Sequence, residues 1–416
     1  MKLEIGGEPA IEKVRRFLDH TVGRKLKPRV IQVVGTNGKG SVVMDITAAL
    51  ISAGYTVGST ISPHLLEMNE RCLINGQRLD DLTLGTYAYR VYEISKELNL
   101  ELAFPVAILA SSLLIFQELD LDFIVLETGL GGAMDGATAI ESPEVIVLTT
   151  IGRDHEHVLG EYPLGIASQK LGAVRDGAKV VLGRIETGTR SFLLEEIKKL
   201  KSKVTSIGFD FDYKKESGFK YLTGTPIDFT LSSGKTINSK LLFEGQHQAD
   251  NLAVALEVIS QLKIPLDEIV LDINHLNWQG RLERFYFNSR EWILDCAHNE
   301  EAMAVVSQHL AKLDNRKYLI CYSGMGKRDW QKILAYLRPI ASEFIFHQLD
   351  YFRAADMNMI SSNLSGIEIS TEVHSGSYRE LIEKISNRDN NQPVLVIGSL
   401  YLVGSFRQAL LEKFNK

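Results

Sequence analysis

Cysteine is scarce in this chain of 416 residues: Cys72, Cys296 and Cys321 stand far apart and outside any C-x-x-C pair. That spacing argues against a disulfide framework and a cysteine-built zinc site, and reduced thiols are expected. Long apolar runs are missing as well. The longest, from Phe104 to Phe116, is too short to cross a bilayer. The opening stretch MKLEIGGEPAIEKVRRFLDH has no signal-peptide core, so a cytoplasmic protein without a membrane partner is expected. A surplus of positive charge is also absent. The formal net charge of -6 argues against a broad nucleic-acid-binding surface and leaves room only for local basic pockets. No internal repeat or low-complexity tract is evident. What remains is an ordinary globular composition, long enough for roughly two or three domains.

The segment Val30 to Ser41, VIQVVGTNGKGS, organises the rest. An apolar, valine-rich run breaks into Gly35-Thr36-Asn37-Gly38-Lys39-Gly40-Ser41, and a helical pattern follows from Val42 to Ala53. Strand, glycine loop and helix together bring backbone amides, a helix N-terminus and the Lys39 charge onto one anion, for which a nucleoside triphosphate is the natural guest.

Helical spacing runs over Ile11 to Leu18, Leu82 to Leu98 and Val106 to Leu119. Tyr55 to Ile61 reads as a strand running into Ser62-Pro63-His64, and Asn69-Glu70-Arg71 precedes another β-like piece. Phe123 to Leu126 reads as a buried strand ending in Glu127-Thr128-Gly129-Leu130-Gly131-Gly132, and Val145 to Thr149 as a strand followed by Ile151-Gly152-Arg153-Asp154-His155. This alternation predicts an α/β fold with a doubly wound parallel sheet, whose ligands sit at the strands' carboxyl edge. From Phe209 to Phe243 short alternating segments predict a small antiparallel subregion, with Ser232-Ser233-Gly234-Lys235 as a turn. A helix is expected over Asn251 to Leu262. A fresh α/β series then follows, with strands at Ile293 to Asp295, Tyr318 to Tyr322, Glu343 to His347 and Val394 to Ile397. The domains are placed at 1–284 and 285–416.

A bound triphosphate calls for a divalent cation, and Mg2+ takes oxygen ligands. Glu127, at the end of a buried strand, needs either a cation or a hydrogen-bonding partner. His155 beside Asp154 could be a ligand, an acid/base group or a loop histidine held by the aspartate. Lys170 reads on spacing alone as a surface lysine, and Asp45 as a solvent-facing residue of the first helix. In the second half, Arg281 could hold phosphate oxygens and Asp295 could accept from ribose hydroxyls; a domain-linking ion pair is the other reading.

At this point the residues resemble one family: the folylpolyglutamate synthase and dihydrofolate synthase group of the Mur-ligase superfamily. The resemblance rests on GTNGKGS, SPHLLEMNERCLING, LETGLGG, IGRDH, GQHQADN, WQGRLE, DCAHN and GSLYLVG, in that order from Gly35 to Gly404. It implies an N-terminal P-loop domain, a smaller Rossmann-like C-terminal domain, and an active site between them that closes during reaction. The implied chemistry is ATP-dependent: a substrate carboxylate attacks the γ-phosphate, and glutamate's amine then displaces phosphate from the acyl phosphate to form an amide. By motif, Gly35 to Ser41 hold the phosphates, Ser62, Glu127 and His155 match magnesium ligands, and Asn251, Arg281 and Asp295 match ATP contacts with His298 nearby. Lys39, His155 and Lys170 are the implied catalytic residues, Lys170 matching a lysine that is carbamylated in the family. A monomer with small-molecule partners, an acceptor carboxylate and glutamate, is expected.

The departures fall on the acceptor side. Where the family usually has a motif like TFFE, this chain has Ala103-Phe104-Pro105-Val106, without its acid. Where RLDATN usually follows GLGG, it has Ala133-Met134-Asp135-Gly136-Ala137-Thr138, and Arg153 replaces an aliphatic residue. Residues 103–106 and Met134, Asp135 and Gly136 are therefore the implied acceptor contacts. Two further readings stand beside folate-type ligation: the same architecture acting on another carboxylic acid, and a nucleotide-binding protein that has lost catalysis.

Overall fold

The computed structural model describes residues 8–215, 224–241, 243–266, 278–326, 328–363, 369–388 and 390–414. It divides into two compact units, one of residues 1–242 with 247–277 and one of residues 243–246 with 278–416.

The first unit is built on the strands β1 (Arg29–Val34), β2 (Val57–Thr60), β3 (Cys72–Ile74), β4 (Gln77–Arg78), β5 (Phe123–Glu127), β6 (Val145–Leu148), β7 (Lys179–Leu182) and β8 (Lys203–Ser206). They form one sheet in the order β4-β3-β2-β5-β1-β6-β7-β8. From β2 to β8 neighbours run parallel, as the strand–helix alternation predicts. An antiparallel hairpin, β3 and β4, extends one edge. Its turn is Asn75-Gly76, both at positive φ, the dipeptide that a tight hairpin favours.

Central β1 is covered on both faces, so it reads as a continuous apolar run rather than an alternating one. Its exception is Gln32, fully buried, whose amide donates to the Thr128 and Thr138 hydroxyls at 3.1 and 2.8 Å. One face of the sheet is covered by α1 (Ala10–His20), α3 (Asp81–Glu97) and α4 (Phe104–Glu118), through Phe17, Leu84, Val91 and Phe116. α2 (Lys39–Ser52) packs on β1, β2 and β5. Beyond α5 (Glu156–Leu159), helices α6 (Leu164–Leu171) and α7 (Thr187–Lys199) bury Ile166, Leu193 and Ile197 with β6 and β7. The small antiparallel sheet contains β9 (Asp212–Lys215), β10 (Thr225–Thr230) and β11 (Thr236–Leu241), and pairs Phe229 with Ile237 across the expected turn. Helix α8 (Gln246–Gln261) follows. Residues 216–223 and 242 of the predicted subregion lie outside the described residues.

The second unit contains β12 (Glu283–Phe287), β13 (Arg290–Asp295), α9 (Glu300–Asp314), β14 (Tyr318–Tyr322), β15 (Ala341–His347), β16 (Ser370–His374) and β17 (Val394–Ile397). The sheet order is β12-β13-β17-β14-β15-β16, parallel except for the β12–β13 hairpin. Arg284 lies within β12. This unit has its own core around Ile293, Leu310, Tyr322, Phe346 and Ile397. Among the described residues, no helix is long and apolar enough to cross a membrane.

Candidate active site

The register of β1 against β5 and β6, Val33 opposite Glu127 and Val34 opposite Leu148, brings the glycine loop, Glu127 and Thr149 to one sheet edge. The loop is fastened to the end of β6. Asn37 O accepts from the Thr149 and Thr150 hydroxyls at 2.7 and 3.2 Å, and Asn37 N donates to Thr150 Oγ1 at 2.9 Å. Thr36 Oγ1 donates to Gly152 O at 3.2 Å and accepts from Gly152 N at 2.9 Å. A Cβ on Gly35 would lie 1.8 Å from Thr149 Oγ1, so only glycine permits this approach. Gly38 caps α2 at φ +82°. The first amides of α2 have no partner within the helix and carry its partial positive charge.

Lys39 Nζ donates to Thr36 O at 3.0 Å and stands 3.9 Å from Glu127 Oε1. The buried Glu127 accepts from Ser62 N at 2.8 Å through Oε2. A hydroxyl and a carboxylate are hard oxygen donors, the set that Mg2+ accepts when phosphate oxygens and waters complete its shell, so Ser62 and Glu127 fit that ion. Among the described residues no group of three or more His, Cys, Asp or Glu side chains could hold a metal by itself. His155 begins α5 at φ +55°. Its N–H donates to Asp154 Oδ1 at 3.0 Å and its Nε2 stands 3.7 Å from the same oxygen, which is the pairing of an aspartate-held histidine.

Two readings from spacing are corrected by burial. Lys170 is 3% exposed, not a surface lysine, because α6 packs its last turn against the Gly131-Gly132 turn, where Ala133 N donates to Gln169 O at 2.8 Å. Lys170 Nζ donates to Gly35 O at 2.8 Å, across to the glycine loop. Burial first, and the Lys39 charge second, push its pKa down to about 7, against the opposing pull of Asp154 and Asp135. Asp45 is 7% exposed rather than solvent-facing, because α2 buries residues all round its circumference.

On the acceptor side, Ala103 precedes α4 and Phe104 and Pro105 form its first turn, with the Phe104 ring exposed. The Arg71 guanidinium lies 5.3 Å from the Phe104 ring centroid, and Arg71 Nε donates to His64 Nδ1 at 2.8 Å. Glu70 accepts from the amides of Leu65, Leu66 and Glu67 at 2.6, 3.1 and 2.9 Å, fixing the loop that carries these groups. Spacing gives His64 and Arg71 no role of their own; their signal in the sequence is a cluster of polar residues where a strand ends. Met134 presents an exposed side chain while its O accepts from Ile11 N at 3.2 Å. Asp135 is turned inward, accepting from Leu130 N and Ala137 N at 3.0 and 2.9 Å, with burial raising its pKa against those bonds. A Cβ on Gly136 would meet Leu109 and Val14 at 3.0 Å. Arg153 pairs with Glu156 at 3.2 Å and lies 5.1 Å from the Tyr162 ring centroid.

Asn251, in the first turns of α8, places Oδ1 2.5 Å from where a Gly38 Cβ would stand. In the second unit, buried Asp295 at the end of β13 accepts from Leu282 N and Ala297 N at 2.9 and 2.8 Å. Burial raises its pKa, with Arg281 opposing. Arg281 lies 5.4 Å from the Trp278 ring centroid. His298 Nδ1 meets Cys296 O at 2.9 Å, and His298 O accepts from Arg328 Nη1 at 2.9 Å. The structure thus groups Gly35 to Ser41, Ser62, Glu127, Lys170 and Asn251 in the first unit, and Arg281, Asp295 and His298 in the second.

Residues 33–259 match the Mur ligase middle domain and residues 280–400 the Mur ligase glutamate ligase domain. A dihydrofolate synthase/folylpolyglutamate synthase of Bacillus subtilis is 26% identical over 422 residues, spanning 98% of this chain and 96% of that protein. The crystal structure of a folylpolyglutamate synthase from Thermotoga maritima is similar with a TM-score of 0.84 and 26% identity, covering 98% of this chain and 94% of that one. A bifunctional folylpolyglutamate synthase/dihydrofolate synthase solved with Mn, AMPPNP and L-glutamate shares the fold, with a TM-score of 0.84, 23% identity, and coverage of 98% and 96%.

Proposed function

Because the chain belongs to the Mur ligase family of ATP-dependent, amide-forming ligases, we propose that it joins glutamate to a folate-type carboxylate, dihydropteroate or a reduced folate, through an acyl phosphate. The observation that carries this reading is the convergence of Lys39, Glu127 and Ser62 on the glycine loop, with Lys39 Nζ 3.9 Å from Glu127. The loop amides and Lys39 bind and orient the triphosphate, stabilising the charge that develops as the γ-phosphoryl group transfers. Ser62, Glu127 and His155 would hold Mg2+, which when bound neutralises phosphate charge. The exposed Phe104 ring beside Arg71 and His64 suits a flat aromatic acid, one face stacking and its anion turned toward a cation. Arg281, Asp295 and His298 are the C-terminal unit's contribution to ATP.

Lys170 supports the reading through its depressed pKa of about 7. Roughly half of its amine is then neutral at pH 7, and a neutral amine can attack carbon dioxide, forming the C–N bond of a carbamate and releasing a proton. The product is an anion beside Lys39. An intact mass showing unmodified Lys170, with activity kept in Lys170→Ala, would remove this element.

The test is an acceptor screen with magnesium, ATP and labelled glutamate. Label is expected on dihydropteroate or a mono-glutamylated folate, with ADP released only when acceptor and amino acid are both present. ADP release with neither counts against ligation. Label on another acid alone favours the second reading, same-architecture ligation of a non-folate acid. That reading is supported by Ala133, which carries no charge where the family usually has an arginine, and by the acid-free turn at residues 103–106.

A further inference from the structure

The acceptor turn, residues 133–139, has little of its own to fix it in place. Ala133, Gly136, Ala137 and Ala139 carry no polar side chain, and Asp135 uses its two carboxylate oxygens inside the turn, on Leu130 N and Ala137 N. Two long side chains from elsewhere in the first unit converge on Thr138 instead. Gln32, three residues before Gly35 on β1, donates through Nε2 to the Thr138 hydroxyl at 2.8 Å and to the Thr128 hydroxyl at 3.1 Å. Arg175, just beyond the end of α6, donates to Thr138 O and, through Nη1, to Gly172 O and Ala173 O at 3.3 and 2.9 Å. Each tie leads to a residue of the site. Thr128 follows Glu127 at the end of β5, and Gly172 closes the helix that carries Lys170. One buried amide therefore sets the span from the Glu127 strand end to the acceptor turn, and one guanidinium sets the span from that turn to α6. Any cation would suit carbonyls at a helix end. Only the rigid fork of an arginine holds them and Thr138 O together.

We propose that Gln32 and Arg175 are positioning residues of the ligation: through Thr138 they hold the acceptor turn at a fixed place against Glu127 and Lys170, and so align the acceptor carboxylate with the γ-phosphate. The inference rests on the folate-type reading of the site. Neither side chain touches the reacting atoms, and neither gains or loses a proton. A misplacement of about 1 Å between reacting groups costs up to ~100-fold in rate. Loosening the turn therefore acts on turnover and leaves the glycine loop's hold on nucleotide unchanged.

The test uses the full chain with Mg-ATP, labelled glutamate and dihydropteroate, with a mono-glutamylated folate as a second acceptor. Thr138→Val keeps the size and the carbonyl and removes the hydroxyl that Gln32 holds. Gln32→Met removes the amide at nearly constant length, and Arg175→Lys keeps the charge and loses the fork. At saturating substrates kcat is expected to fall about tenfold in Gln32→Met and Thr138→Val and about threefold in Arg175→Lys, while the Kd for Mg-ADP stays within about twofold of the parent. The first two losses should not multiply in the double variant, because both break the same bond. Merely structural side chains would lower the unfolding midpoint and leave kcat per folded molecule unmoved. Where Gln32→Met is insoluble, Thr138→Val, one hydroxyl away from the parent, carries the test. The role is overturned if the soluble variants keep kcat within about twofold of the parent, or if ADP binding weakens in step with kcat. A parent chain that labels neither acceptor overturns the folate-type reading and the role with it, whereas a parent that labels one, with unaffected variants, overturns the role alone.

Discussion

Asp45 stands six residues beyond Lys39 on α2, and burial alone raises its pKa from 3.8 to about 8. Between those values the folded chain keeps a proton that the unfolded chain has lost, so stability falls as pH rises from 4 to 8 and the penalty is complete above 8. Asp45→Asn removes the titration. It is expected to stabilise the protein by several kcal/mol at pH 8.5, about 1.4 kcal/mol for each pH unit between the two values, and by almost nothing at pH 4, read from urea midpoints; an equal effect at both pH values would contradict the assignment. The same residue shows where sequence reading stops. A polar side chain on a helix is placed in solvent by default, yet α2 is enclosed on all sides, and enclosure comes from distant elements. Lys170 was misplaced for the same reason, because its environment is a loop 135 residues away. Lys39 was legible because its chemistry is local, written in consecutive residues.

At the scale of elements, α4 packs on β2 where Phe116 meets Gly58. A Cβ on Gly58 would fall 2.6 to 2.8 Å from three ring atoms of Phe116, itself fully buried. Gly58→Ala is expected to cost ~2–3 kcal/mol by overpacking. Phe116→Leu in the same chain should recover at least ~1 kcal/mol of that loss, a coupling measured by a double-mutant cycle. Additive losses would show that the two elements meet elsewhere. The buried strands were the most legible elements: Tyr318–Tyr322 and Val394–Ile397 fall where the apolar runs put them. Helix α2 begins at Lys39, three residues before its apolar pattern, because the glycine loop feeds directly into helical backbone and glycines carry no periodic signal. The β3–β4 hairpin is too short to show alternation, and its Asn75-Gly76 turn was not read from the sequence.

The whole molecule has two units with separate cores, one around Phe17, Phe116 and Val91 and one around Ile293, Tyr322 and Phe346. Calorimetry is expected to resolve two unfolding transitions. Mg-ADP at 100 times its Kd should stabilise the unit carrying Lys39 by about 2.7 kcal/mol, and Lys39→Ala should abolish that shift. A shift kept in Lys39→Ala would place nucleotide binding elsewhere. The candidate site was legible in the first unit as a set of motifs, but the partners that hold each motif, such as Thr149 under Gly35 and Ser62 N against Glu127, follow from sheet order rather than from spacing.

Glu244 gives the C-terminal unit an unusual border. It is buried and accepts from Arg284 at 2.7 and 2.6 Å and from His309 at 2.8 Å, while Arg284 also pairs with Glu291, which holds Arg316 at 2.7 Å. A fragment cut at residue 278 would leave this carboxylate behind, and one guanidinium would then share Glu291 with another. The glutamate ligase domain is therefore not a portable cassette: a chimera that exchanges it with a relative must carry a matched acid at 244, or inherit a buried, half-neutralised cation at its seam.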